Sequence, residues 1–149
     1  MCGVGVPPGQ ACNDLVDFGA TVVPSCTVAP MPVGTGGTIV DGIYKLTAQT
    51  YYNTSFCPTG AVSGSIAIQG GCLQSISGAP FVASASGTIA VQGNALTLTL
   101  TCVNAGMLTL MADAPTKTFT ATATTVTFFS LNSAVGNTNP DRVEVYTRR

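Results

Sequence analysis

Ser65-Ile-Ala-Ile-Gln-Gly-Gly-Cys-Leu73, Thr88-Ile-Ala-Val-Gln-Gly-Asn-Ala-Leu96 and Thr118-Phe-Thr-Ala-Thr-Ala-Thr-Thr-Val126 are three versions of one pattern. Each is an alternating apolar run, a two-residue break and a second alternating run, which is how a β-hairpin is written in sequence. Gly70-Gly71 and Gly93-Asn94 supply the residue types that tolerate the positive φ of tight hairpin turns. The pattern predicts strands near 63–69 and 72–77, near 81–92 and 95–103, and near 117–123 and 125–131, the last pair turning around Ala123-Thr124. Leu96, Leu98, Leu100 and Cys102 alternate with Thr97, Thr99 and Thr101, so one face of that strand meets a core and the other meets water.

Working outward, residues 43–52 alternate in the same way, with Tyr44, Leu46 and Ala48 set against Lys45, Thr47 and Gln49. A last strand is expected at about 142–147. These make eight sequential antiparallel strands with no long amphipathic helix to cover a sheet face. Curling into an up-and-down, lipocalin-like barrel buries one face and hides the edges, so an all-β barrel over 38–149 is expected, with a two-sheet sandwich as the competitor. Met107 to Met111 reads as either a short strand or an apolar loop. Residues 1–37 contain Pro7, Pro8, Pro24, Pro30, Pro32, Gly34, Gly36 and Gly37 with no period of 2 or 3.6, and read as an extended tether stapled through Cys12 and Cys26.

Composition narrows the partners. The 149 residues include 5 basic and 6 acidic side chains, 7% charged, against about 25% in an average soluble domain. A net charge of -1 gives no basic stripe for phosphates, so nucleic acid is not an expected partner. Low charge also eases self-association into a homo-oligomer. No apolar run reaches the roughly 18 residues that span a bilayer. Cys2, Cys12, Cys26, Cys57, Cys72 and Cys102 contain no Cys-x-x-Cys pair and the chain has no histidine, so disulfides in an oxidising compartment explain them better than metal. In a meander, alternate connections share an end. That rule predicts a Cys57–Cys102 bridge and pairs Cys72 with Cys12 or Cys26.

Chemistry is thinly represented. Without histidine there is no imidazole base for a serine or cysteine nucleophile, and no enzyme or cofactor is expected. Asp141 and Glu144, three apart on a strand, fall on opposite faces. Asn137, Asn139 and Asp141 alternate as oxygen ligands of calcium could, but read more simply as a turn. The triplet Asn53-Thr54-Ser55 fits a glycosylation acceptor but reads as a chance match, and Gly34-Thr35-Gly36-Gly37 reads as linker. The inward set of Tyr44, Leu46, Ile66, Ile68, Ile89, Val91, Leu96, Leu98, Leu100, Phe119, Val126 and Phe128 is either a packed core or the lining of an apolar pocket. The small residues Ala48, Ala121 and Ala123 on the same faces would leave room for a ligand.

Four stretches carry a resemblance: Cys2-Gly3; Cys12-Asn13-Asp14-Leu15-Val16; Gly36-Gly37-Thr38-Ile39-Val40-Asp41-Gly42-Ile43-Tyr44-Lys45-Leu46-Thr47; and Asn139-Pro140-Asp141-Arg142-Val143-Glu144-Val145-Tyr146-Thr147. Together they resemble a group of uncharacterised bacterial envelope lipoproteins with a small lipocalin-like or calycin-like β domain behind a Pro/Gly tether. The resemblance implies a secreted or envelope location and a lipid on Cys2, with Met1 supplied ahead of it and the outer membrane reached only through that anchor. Gly42-Ile43-Tyr44 looks like a weak form of the lipocalin Gly-x-Trp opening, with Arg142 as the arginine that closes over the aromatic ring. The expected function is a non-enzymatic binding module for a small apolar ligand, a lipid or a surface partner. Two other classes compete: a structural protein forming homotypic assemblies, and a periplasmic enzyme inhibitor presenting a loop at 53–62 or 132–140.

Overall fold

The computed structural model describes residues 12–78, 82–105, 116–132 and 140–149. Among the described residues nine strands make up one sheet: β1 (Ser25–Cys26), β2 (Gly42–Tyr52), β3 (Gly64–Gln69), β4 (Cys72–Ser77), β5 (Ala83–Gln92), β6 (Ala95–Ala105), β7 (Thr116–Ala121), β8 (Thr125–Ser130) and β9 (Asp141–Arg148). Strands β2 to β9 follow sequence order, each antiparallel to the next, and β2 pairs back to β9. The result is a closed eight-stranded antiparallel barrel with β1 as an extra strand. The three expected hairpins are β3–β4, β5–β6 and β7–β8. Gly70 and Gly71 both have positive φ, whereas at the second turn only Gly93 does, the pattern of a type II′ turn. Met107 to Met111 lies outside the described residues.

The inner face is fixed by cross-strand register. Tyr44 faces Ile66, Ile68 faces Leu73, and Phe119 faces Phe128. With Leu96 and Val126 these form the buried core, and Ile39, Ile89, Leu98, Ala121 and Tyr146 pack against it. Most of the expected inward set is thus solid packing. Leu100 is only partly buried, Val91 at the open tip of the β5–β6 hairpin is 49% exposed, and Ala123 lies exposed in the turn rather than inside.

Two single-residue bulges change which side chains face in. In β2, Leu46 pairs with Tyr146 but Ala48 pairs with Val145, which leaves Thr47 over. The alternation slips by one, so Gln49 and Tyr51 face inward and Ala48 is exposed, contrary to its expected inward position. In β6, Gly87 pairs with Leu100 and Ser86 with Cys102, which leaves Thr101 over and turns Cys102 to the outer wall.

That outer wall receives the N-terminal segment. Residues 12–37 do not run free as a tether would. Ser65, Ser84 and Ser86 on the outer faces of β3 and β5 are small enough for another backbone to approach. Cys12 N–H donates to Ser84 Oγ at 3.1 Å, Ser86 Oγ donates to the Cys12 carbonyl at 2.9 Å, and Asn13 Nδ2 donates to the carbonyls of Ser75 and Ala85. Asp17 accepts from the hydroxyls of Ser63 and Ser65.

Further along, the same segment fills two seams. The β2–β3 pairing covers only four residues of β2, and β1 runs parallel to its far end through Thr50 and Tyr51. The β6–β7 pairing is also short, and there Gly36 N–H donates to the Phe119 carbonyl while Ala121 N–H donates to the Gly36 carbonyl. Asn94 Nδ2 donates to the Gly34 carbonyl. A Cβ on Gly34 would stand 2.4 Å from the Phe119 oxygen and 2.5 Å from its nitrogen, an overlap with backbone that no rotamer change relieves. Gly34→Ala is expected to lose about 1–3 kcal/mol, the usual cost of overpacking, and to raise amide exchange at Gly36 and Ala121. Urea unfolding with hydrogen exchange reads both.

Two disulfides join described residues, and they differ from the expected pairing. Cys12 bonds Cys102, and Cys26 bonds Cys57. The end-sharing rule failed because the N-terminal segment runs along the wall instead of entering at one end. It brings Cys12 to the outward-turned Cys102, and β1 sets Cys26 beside the loop that follows β2. Cys72 is also disulfide-bonded.

Candidate functional site

A cavity of about 380 Å³ opens at the end of the barrel where β2 and β4 finish and β3 and β9 begin. Its wall is built from three rungs across the β2–β9 pair. Leu46 faces Tyr146, then Gln49 faces Glu144, then Tyr51 faces Arg142. All six line the cavity. The Thr47 bulge decides this chemistry: strict alternation from Leu46 would have put Ala48 and Thr50 on the inner wall. Polarity is graded along the ladder. The deepest rung abuts the core, where the Tyr146 ring meets Phe128 edge-on at 5.8 Å, and the polar rungs stand nearer the mouth.

The polar rungs are wired to one another. Gln49 Nε2 donates to Glu144 Oε1 at 3.3 Å, and Arg142 Nε lies 3.5 Å from the same oxygen. Arg142 and Glu144 are two apart on one strand and so share a face, which lets the guanidinium and carboxylate offset each other. Gln49 is 7% exposed, and its Oε1 is buried without a hydrogen-bond partner among the described residues. The amide cannot simply be turned over, because that would set oxygen against the Glu144 carboxylate. Lys117 also faces inward, opposite Leu96, and donates from Nζ to Ser130 Oγ at 2.7 Å, away from the cavity lining.

The rim is held by the N-terminal segment. Val22 and Val62 exchange two backbone hydrogen bonds, of 2.6 and 2.8 Å, and the Cys26–Cys57 bridge ties the start of the rim loop to β1. Pro24, Pro58, Ala61 and Val62 give the mouth an apolar edge.

Of the twelve inward-facing residues expected from sequence, only Leu46 lines this cavity. Gln49 and Tyr51 were missed because the bulge leaves little trace in sequence, and Glu144 and Arg142 were read only against Asp141 and the Gly42-Ile43-Tyr44 opening. Arg142 does not close over the Gly42-Ile43-Tyr44 opening. Arg148 is the cross-strand partner of Tyr44, and its Nε would meet a Cβ on Gly42 at 2.7 Å, so the arginine beside that opening is Arg148 at the other end of β9. Burial raises the Tyr44 pKa, partly offset by the Arg148 charge, and its hydroxyl donates to the Val40 carbonyl. Asp141 is buried and accepts from Asn53 Nδ2, while Asn137, Asn139 and Cys2 lie outside the described residues. No group of three potential metal-ligating side chains occurs among the described residues. Comparisons with family models, with curated proteins and with solved structures each return no match.

Proposed function

We propose that this chain is a non-enzymatic binding module that takes a small molecule into the end cavity of its barrel and works in a secreted or bacterial envelope setting. The observation that carries the reading is the cavity itself, apolar at depth and polar near its mouth, of a volume usual for small-molecule sites. The sequence supplies no catalytic set, which favours binding over turnover. The disulfides are compatible with an oxidising compartment.

The test uses the neutral naphthalene dye prodan, whose emission shifts to the blue on leaving water. Saturable blue-shifted binding is expected. Ser75 lines the cavity and sits across the strands from core Ile66, so Ser75→Phe should fill the space and weaken binding at least tenfold without lowering Tm. Absence of prodan binding, together with no small molecule retained in native mass spectra of gently purified protein, would sink the proposal.

A further inference from the structure

We infer that the cavity selects an uncharged amphiphile with a hydroxyl head and a short apolar tail, and discriminates against a carboxylate of the same length. The inference rests on the binding reading above and adds the head-group chemistry to it. The direction of insertion follows from the ladder: Leu46 and Tyr146 receive the tail against the core, while Gln49 and Glu144, then Tyr51 and Arg142, face the head near the mouth.

Two observations set the character of the head. The first is charge. Arg142 is the guanidinium in the lining and it is engaged by Glu144 at 3.5 Å, so the wall presents a neutral pair rather than a free cation. Lys117, another inward cation, bonds Ser130 and stands outside the lining. A carboxylate brought here would give up its hydration and meet Glu144, whose charge already offsets the arginine although Arg142 Nε makes no hydrogen bond among the described residues. Burying an ion without a dedicated partner is disfavoured far more than burying a hydroxyl.

The second is the orphan acceptor. Gln49 is more than nine-tenths buried in the cavity wall, and its amide is oriented by Glu144 so that Oε1 is left without a donor. A buried carbonyl oxygen of this kind is costly to leave unmade, and a donor supplied by a ligand relieves that cost. A hydroxyl can donate to Gln49 Oε1 and accept in turn from a neighbouring donor. A carboxylate only accepts.

Three probes of equal length separate the possibilities: 1-octanol, octanoate and octylammonium, measured by displacement of prodan at pH 7.5. Octanol is expected to bind at least tenfold more tightly than either ion, and Gln49→Leu to weaken octanol at least fivefold while leaving octanoate within twofold. Octanoate binding as tightly as octanol, or an unchanged octanol affinity in Gln49→Leu, would overturn the inference while leaving the binding reading intact. Failure of all three probes on a protein that still binds prodan would likewise overturn it. The comparison among the probes on the unaltered protein does not depend on the variant folding.

Discussion

Replacing both Cys12 and Cys102 with alanine is expected to lower the free energy of unfolding by about 4–5 kcal/mol, a large part of the 5–15 kcal/mol typical of a domain. The bridge joins residues 90 apart in sequence, and on the chain-entropy account its effect grows with the logarithm of the loop it closes. The same account gives about 3–4 kcal/mol for Cys26–Cys57, whose separation is 31. The longer bridge therefore matters more. Its loss also frees the segment whose backbone is hydrogen-bonded to Ser84 and Ser86, so those buried hydroxyls lose a partner along with the cross-link. Urea unfolding of the double variant, compared with the unaltered protein under non-reducing conditions, reads the difference. A loss below about 1 kcal/mol would mean that the segment is not held to the wall by this bridge.

Phe119→Ala is expected to cost about 3–5 kcal/mol, the range for deleting a fully buried aromatic ring. Phe119 is 0% exposed and faces Phe128 in the centre of the core. Its backbone also serves the β6–β7 seam, since its carbonyl accepts from Gly36 and its N–H donates to the Asn94 carbonyl. The cavity left by the ring would thus lie beneath the place where the N-terminal segment joins the wall. Phe119→Leu should recover most of the loss, because it restores most of the volume without a polar group. A cost under about 1.5 kcal/mol for the alanine variant, measured by urea unfolding, would show that the site collapses around the missing ring.

The barrel was legible because its hairpins are local. Each of the three repeats carries its own turn residues and its own period of two, so the β3–β4, β5–β6 and β7–β8 units could be read independently and the meander followed from their order. The cavity wall was much less legible. Thr47 and Thr101 sit comfortably on either face of a strand, so a bulge at either leaves alternation looking intact. The traces were faint: Tyr51 and Tyr52 adjacent at the end of β2, and Val103 directly after Cys102 in β6, each an apolar doublet where strict alternation allows one. The disulfide pairing was lost for the same reason, since Cys102 points the opposite way once Thr101 is left over. The docking of the N-terminal segment could not be read, because its partners are side-chain hydroxyls and strand carbonyls some 24 to 85 positions away.

The route of residues 12–37 over a finished wall also imposes an order on biosynthesis. Cys26 can find Cys57 once 31 further residues have been made, but Cys12 must wait for Cys102, 90 residues on. In an oxidising compartment the nearer sulfurs become available first, and any premature link from Cys12 to Cys26 or Cys57 has to be undone before the first segment can settle. A premature link of that kind would reach the native pairing only by thiol exchange.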